Sequence, residues 1–126
     1  MLYSVEILFD LTQTEYSELF ADCTFPWDPL KKLKDYIATH LQRQQLHTVV
    51  GHAHIGKDVS IGEGTVVEHG AMILGPAIIG KNCKIRHNAY IRENCVIGDN
   101  CIVGNSSELK HSILLNNCAM PHFNYV

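Results

Sequence analysis

A triangular parallel β-helix, mainly β with a small helical N-terminal segment, is the fold class that the sequence predicts, and three observations predict it. The first is a period. From residue 49 an aliphatic side chain recurs every six residues, at Val49, Ile55, Ile61, Val67, Ile73, Ile79, Ile85, Ile91, Ile97, Val103, Leu109 and Leu115, with Pro121 ending the series. The second is that the fifth position of each hexad stays small, as at Ala71, Ala77, Cys83, Ala89, Cys95, Cys101 and Ser107, with Ile113 and Tyr125 as late exceptions. The third is glycine at the second position, at Gly56, Gly62, Gly80, Gly98 and Gly104, where a sharply turning chain favours a residue without Cβ.

Each hexad is thus a short strand plus a corner, and three hexads close one coil of 18 residues. Repeats of this kind bury their apolar face only by stacking on their neighbours. Residues 49–126 make 13 hexads, a little over four coils. An amphipathic helix would show apolar spacings of three and four, not a strict six.

Residues 1–48 lack the period and form a separate capping segment. Leu2 to Phe9 reads as one strand. Thr12 or Thr14 caps a short helix running through Tyr16 and Leu19 to Ala21. At Trp27-Asp28-Pro29, Asp28 is placed to be an N-cap with Pro29 at the first helical position. Leu30, Leu33, Ile37 and Leu41 then recur on one face of a helix. Packed on the first coil or on a neighbouring subunit, that helix would cover the open end of the β-helix.

Composition narrows the class of function. The 126 residues are 46% hydrophobic and 18% charged with a formal net charge of -3, which gives no broad basic field for nucleic acid. No apolar run approaches the roughly 20 residues of a membrane-spanning helix, and no leader pattern opens the chain. Five cysteines, Cys23, Cys83, Cys95, Cys101 and Cys118, show no CxxC spacing, and they read as reduced thiols of a cytoplasmic protein. Cys83 and Cys101 fall at inward positions and read as core.

Residues 18 apart occupy the same place on successive coils, roughly 4.8 Å apart along the axis. Arg92 and Lys110 form such a pair at the corner position, without an evident carboxylate partner, so a phosphate is a natural bridging ligand. His122 follows Lys110 by 12 residues, also at a corner. Its ordinary pKa suits a general base near neutral pH. Two thirds of a coil separates it from the pair, so the hexad arithmetic puts it on a different edge of the prism.

Arg92, the segment Glu108-Leu109-Lys110 and the segment His122-Phe123-Asn124-Tyr125 carry a resemblance. Their types and spacings are similar to those of the acetyltransferase half of the bacterial bifunctional N-acetylglucosamine-1-phosphate uridylyltransferase/glucosamine-1-phosphate acetyltransferases, over roughly residues 50–126. The resemblance implies a left-handed coil, a homotrimer and a place in UDP-N-acetylglucosamine biosynthesis. It also implies acetyl-CoA as co-substrate with an amino-sugar 1-phosphate as acceptor. Arg92, Lys110 and Tyr125 would hold the sugar phosphate, and His122 would deprotonate the attacking amine.

Two departures qualify the resemblance. No Gly-rich nucleotide loop matches the family's pyrophosphorylase half, so uridylyl transfer is not expected of these residues. The family's coils for acetyl-CoA lie beyond its His-x-x-Tyr segment, whereas Val126 ends this sequence, which therefore reads as partial and inactive on its own. The alternative expectation is a non-catalytic trimerisation or ligand-binding module of a sugar-phosphate nucleotidyltransferase. His69 and His87 also stack 18 apart, as in the zinc-binding β-helical γ-carbonic anhydrases, but that family's third histidine falls at Arg92. No metal is expected.

Overall fold

The computed structural model describes residues 2–126. A left-handed parallel β-helix fills the C-terminal part, with three faces of parallel strands that pair only with strands one coil away. The first face stacks β1 (Thr48–Val49), β4 (Val66–Val67), β7 (Lys84–Ile85), β10 (Ile102–Val103) and β13 (Ala119–Met120). The second stacks β2 (His54–Ile55), β5 (Met72–Ile73), β8 (Tyr90–Ile91) and β11 (Glu108–Leu109). The third stacks β3 (Val59–Ile61), β6 (Ala77–Ile79), β9 (Cys95–Ile97) and β12 (Ile113–Leu114).

The expected first-position residues from Ile61 to Leu109 fill the interior, whereas Val49 at the start of the series stays exposed. Ile61, Val67, Ile73, Ile85, Ile91, Ile97, Val103 and Leu109 are all at 0% exposure. Burying each such side chain is worth about 1.5–3 kcal/mol. Thr65, Cys83 and Cys101 stack beside them at one inner corner, with Cys118 partly buried against the same core. The Thr65 hydroxyl donates to the Gly80 carbonyl at 2.8 Å and accepts from the Cys83 N–H at 3.0 Å, so its burial is satisfied.

The expected register fails in the last coil. Val103 lies over Ile85 at the regular step of 18, but Met120 lies over Val103 at 17, and Leu114 over Ile97 at 17. One residue is missing from the corner between Leu109 and Leu114, so Leu114 and Met120 point inward in place of Leu115 and Pro121. The slip removes both late exceptions: Ser112, Cys118 and Asn124, not Ile113, Ala119 and Tyr125, take the fifth positions, and Ser112 is buried.

The second-position glycines also have a different cause from the one expected. Positive φ falls elsewhere, on Gly64, Asn82, Asn100 and Asn117 at one corner column. At Gly80 the obstacle is the next coil, since a Cβ there would sit 2.7 Å from the carbonyl carbon of Gly98. Closeness of stacked corners, not turn conformation, selects glycine there.

The N-terminal segment departs most. Leu2–Phe9 holds a single helical turn, α1 (Val5–Leu8), instead of a strand. Leu2, Tyr3, Ile7 and Leu8 are exposed, and Val5 alone of these reaches the core. Two 3-10 turns, Leu11–Gln13 and Ser17–Phe20, replace the predicted short helix. Asp10 caps the first through the Thr12 N–H at 3.1 Å, while Thr14 accepts from the Tyr16 N–H at 3.1 Å.

The long helix α2 (Pro29–His40) begins where expected, with Pro29 at its first position. Asp28 caps nothing in it, because its carboxylate turns back to accept from the N–H groups of Thr24 and Phe25 at 3.1 and 2.8 Å. Leu33 and Ile37 are fully buried, Leu41 partly, and Leu30 lies exposed. They pack with Val5, Tyr16, Leu19 and Phe20 against Ile78 and Val96, the outward side chains of β6 and β9. The segment therefore lies along the third face and does not cap the open end. An apolar outward column at Ile78, Val96 and Ile113 gives it a surface there that the end coil lacks.

Candidate functional site

Two corners of the prism carry the predicted residues, and they lie at opposite ends of the second face. The corner leading from the first face into the second holds His122. The corner leading from the second face into the third holds Arg92 and Lys110. Tyr125 forms a parallel bridge with Glu108, which pairs in turn with Tyr90, so it extends the outward column that runs into the second corner. The structure thus stacks Arg92 and Lys110 on one edge and leaves His122 on another, as the hexad arithmetic predicts, while Tyr125, an inward position in the strict frame, stands in the outward column beside the Arg92 and Lys110 edge.

At the second corner, Arg92 stands one coil from Lys110, and its N–H donates to the Leu109 carbonyl at 2.8 Å. Its guanidinium is not free of carboxylates, which corrects the sequence reading. Nη1 donates to Glu108 Oε2 at 3.1 Å, and Nε lies 3.5 Å from Glu93 Oε2. That second contact is an ion pair without hydrogen-bond geometry, and the buried Nε has no hydrogen-bond partner. The guanidinium carbon sits 5.9 Å from the centroid of the Tyr90 ring. The hydrogen bond to Glu108 raises the Arg92 pKa. A backbone hydrogen bond, and then Arg92 and Lys110, hold the Glu93 carboxyl below its usual range against the opposing effect of burial. Lys110 is exposed and forms no ion pair among the described residues, leaving one mobile ammonium beside one committed guanidinium.

At the first corner the register slip decides what His122 touches. Counted in strict hexads it would follow an inward Pro121; in the structure it stands two places after Met120, above Asn105, with His87 and His69 on the coils below. The Phe123 N–H donates to the Asn105 carbonyl at 3.0 Å, the Ser106 N–H to His87 and the Asn88 N–H to His69, both at 3.2 Å. His122 is exposed, its ring 5.8 Å from that of Phe123. A hollow of about 390 Å³ lies between it, Arg86, Ile102, Asn105 and Met120. Arg86 donates from Nε to Glu68 Oε1 at 2.9 Å, and the His87 N–H donates to the same oxygen at 3.0 Å. Burial works to raise the Glu68 carboxyl, but these two donors outweigh it and leave it below the usual range.

Residues 76–111 match the model of the bacterial transferase hexapeptide (six repeats) family. The matched stretch carries the hexapeptide repeat that this family's model describes. It runs from β6 to the turn after β11 and includes Arg92, Glu108 and Lys110. No curated protein sequence matches the chain.

The residues that sequence reasoning missed are the carboxylates. Glu108 reaches Arg92 from 16 residues away and Glu68 reaches Arg86 from 18, spacings that the outward columns could have disclosed. Of the stacked histidines, His69 Nδ1 accepts the His52 N–H at 3.0 Å, and His87 Nδ1 lies 3.6 Å from Glu68. Among the described residues no three His, Cys, Asp or Glu side chains are grouped to hold a metal ion. No described helix is long and apolar enough to cross a membrane.

Proposed function

We propose that this β-helix is an N-acetyltransferase module for an amino-sugar 1-phosphate, with acetyl-CoA as the second substrate, working as a cytoplasmic homotrimer in UDP-N-acetylglucosamine biosynthesis. The observation that carries the reading is the edge shared by Arg92 and Lys110, with Tyr125 in the column beside it, facing outward next to an uncovered face. Lys110 and the free side of the Arg92 guanidinium supply the donors that a phosphate takes, and the Tyr125 hydroxyl adds another. Glu93 and Glu108 pair with the guanidinium, and Lys110 is the cation left outside those ion pairs.

His122 then acts as the base. It takes the proton of the acceptor amine as nitrogen attacks the thioester carbonyl; the C–N bond forms, the C–S bond breaks, and the proton passes to the departing thiolate. Proton transfer of this kind contributes about 10²- to 10⁴-fold. The two corners sit at the ends of one six-residue side, which extended chain would span over roughly 20 Å. A single small sugar therefore needs the base from one subunit and the clamp from its neighbour.

The exposure of His122 and the pairing of Arg92 with two carboxylates favour a second reading, a non-catalytic trimerisation or ligand-binding module of a sugar-phosphate nucleotidyltransferase. Calorimetry with glucosamine 1-phosphate tests the clamp that both uses share. Lys110→Ala should weaken binding about 10-fold, in line with losing one charge-assisted contact. Unchanged affinity in Lys110→Ala would remove the clamp. Acetyl-CoA turnover that survives His122→Ala would remove the base.

A further inference from the structure

The third corner, leading from the third face back to the first, carries neither the clamp nor the base, and it is the one that the N-terminal segment overhangs. Between α2 with its preceding 3-10 turn and this corner lies a cleft of about 270 Å³, lined by Tyr16, Tyr36, Ser60, Lys81, Asp99 and the edge of Gly80. Tyr16 is 7% exposed and lines the cleft, and its hydroxyl makes no hydrogen bond to a described residue. A phenol beside a cleft with no protein partner has its O–H available to an acceptor bound there. Burial, then Glu15 and Asp99, push its pKa up and keep it a donor.

The other groups set the chemistry of that acceptor. Asp99 accepts the Lys81 N–H through Oδ1 at 2.8 Å and has a second oxygen uncommitted. Lys81 forms no ion pair among the described residues. The Tyr36 ring is stacked on His40 with centroids 4.0 Å apart, which fixes one wall. His40 is held by Glu18 at 3.3 Å and by the Tyr36 carbonyl at 2.9 Å. Donors and acceptors alternate, and Glu15 and Asp99 against the single Lys81 make the cleft unfavourable for an anion. Its volume falls just below the roughly 300 Å³ at which drug-sized pockets begin.

We infer that this cleft is a second binding site, separate from the phosphate-holding edge, for a neutral polyhydroxylated molecule of monosaccharide size whose hydroxyl accepts from Tyr16 and donates to Asp99. The test is ¹⁵N–¹H NMR of the chain titrated with D-glucose and, separately, with glucose 1-phosphate. Millimolar glucose should shift the amides of Gly80, Lys81 and Asp99, and the phosphate ester should bind there less tightly. Tyr16→Phe should weaken the glucose response about 5- to 10-fold, and Lys81→Met should weaken it too. His122→Ala should leave it unchanged. The Tyr16→Phe melting temperature should be unchanged or higher, because no internal hydrogen bond is lost. The inference is overturned by the absence of shifts at these amides, by tighter binding of the phosphate ester, by a response insensitive to both cleft variants, or by a lower melting temperature in Tyr16→Phe.

Discussion

Gly104 shows how much of the site rests on single residues. A Cβ at this position would lie 2.5 Å from the carbonyl carbon of Pro121 and 2.6 Å from the His122 nitrogen, backbone that cannot rotate away. Gly104→Ala should therefore push the His122 strand outward at a cost of about 1–3 kcal/mol, readable as a lower urea midpoint; an unchanged midpoint would mean that the last coil is loose already. Glu68 gives a pH signature at the same corner. Its folded pKa lies below the ordinary 4.5, so its contribution is present above that value and is lost as pH falls through the lower folded one. At 30% side-chain exposure the pair with Arg86 is worth at most about 1 kcal/mol. In Glu68→Gln, thermal melts should show a shallower loss of stability below pH 4.5 than in the natural chain, and identical acid profiles would show that the pair contributes nothing. Arg92 and Lys110 were legible because stacking repeats at 18; the carboxylates on Arg92 were missed because one, Glu93, is its chain neighbour and the other, Glu108, reaches it diagonally at 16 rather than at the step of 18.

The strands were legible almost completely, the corners only in part. The aliphatic positions from Ile61 to Leu109 fix where the interior is, but the chain can lose a residue at a corner without disturbing any strand, as it does between Leu109 and Leu114. The signals were already present in the large Ile113 and Tyr125 and in the proline at 121, each contrary to the strict frame. The N-terminal segment was least legible, since its fold is set by the Ile78–Val96 surface that it covers. A turn as short as α1 gains little from its own propensity. Ile37, fully buried where α2 meets β9, measures that dependence. Ile37→Ala should cost about 2–5 kcal/mol by chemical denaturation, with the N-terminal amides losing hydrogen-exchange protection before those of the coils. Equal loss throughout would show that segment and β-helix unfold as one unit.

At the scale of the whole molecule, the N-terminal segment decides which surfaces are left for association. It occupies the third face, so the first and second stay open, with Ile102 on one and Met72 and Leu74 on the other 37–40% exposed. These are the faces that meet at the His122 corner and whose far end carries Arg92 and Lys110. A threefold assembly that packs the first face of one subunit near the second face of the next would bring a base to a clamp without bending any coil, and light scattering should accordingly report a trimer at micromolar concentration. A monomer would remove the arrangement. The sharper test is complementation, read as acetyl-CoA turnover. Lys110→Ala spoils the clamp of every site, and His122→Ala spoils the base of every site, so each homotrimer should be inactive. Random mixing, however, places an intact Lys110 opposite an intact His122 at one interface in every mixed trimer. Activity should then reappear at up to one third of the natural value per mixed trimer, rising and falling with the mixing ratio. Mixtures that stay inactive despite proven subunit exchange would mean that clamp and base act within one chain, and that the roughly 20 Å of extended chain along one side is closed by a movement of the His122 strand.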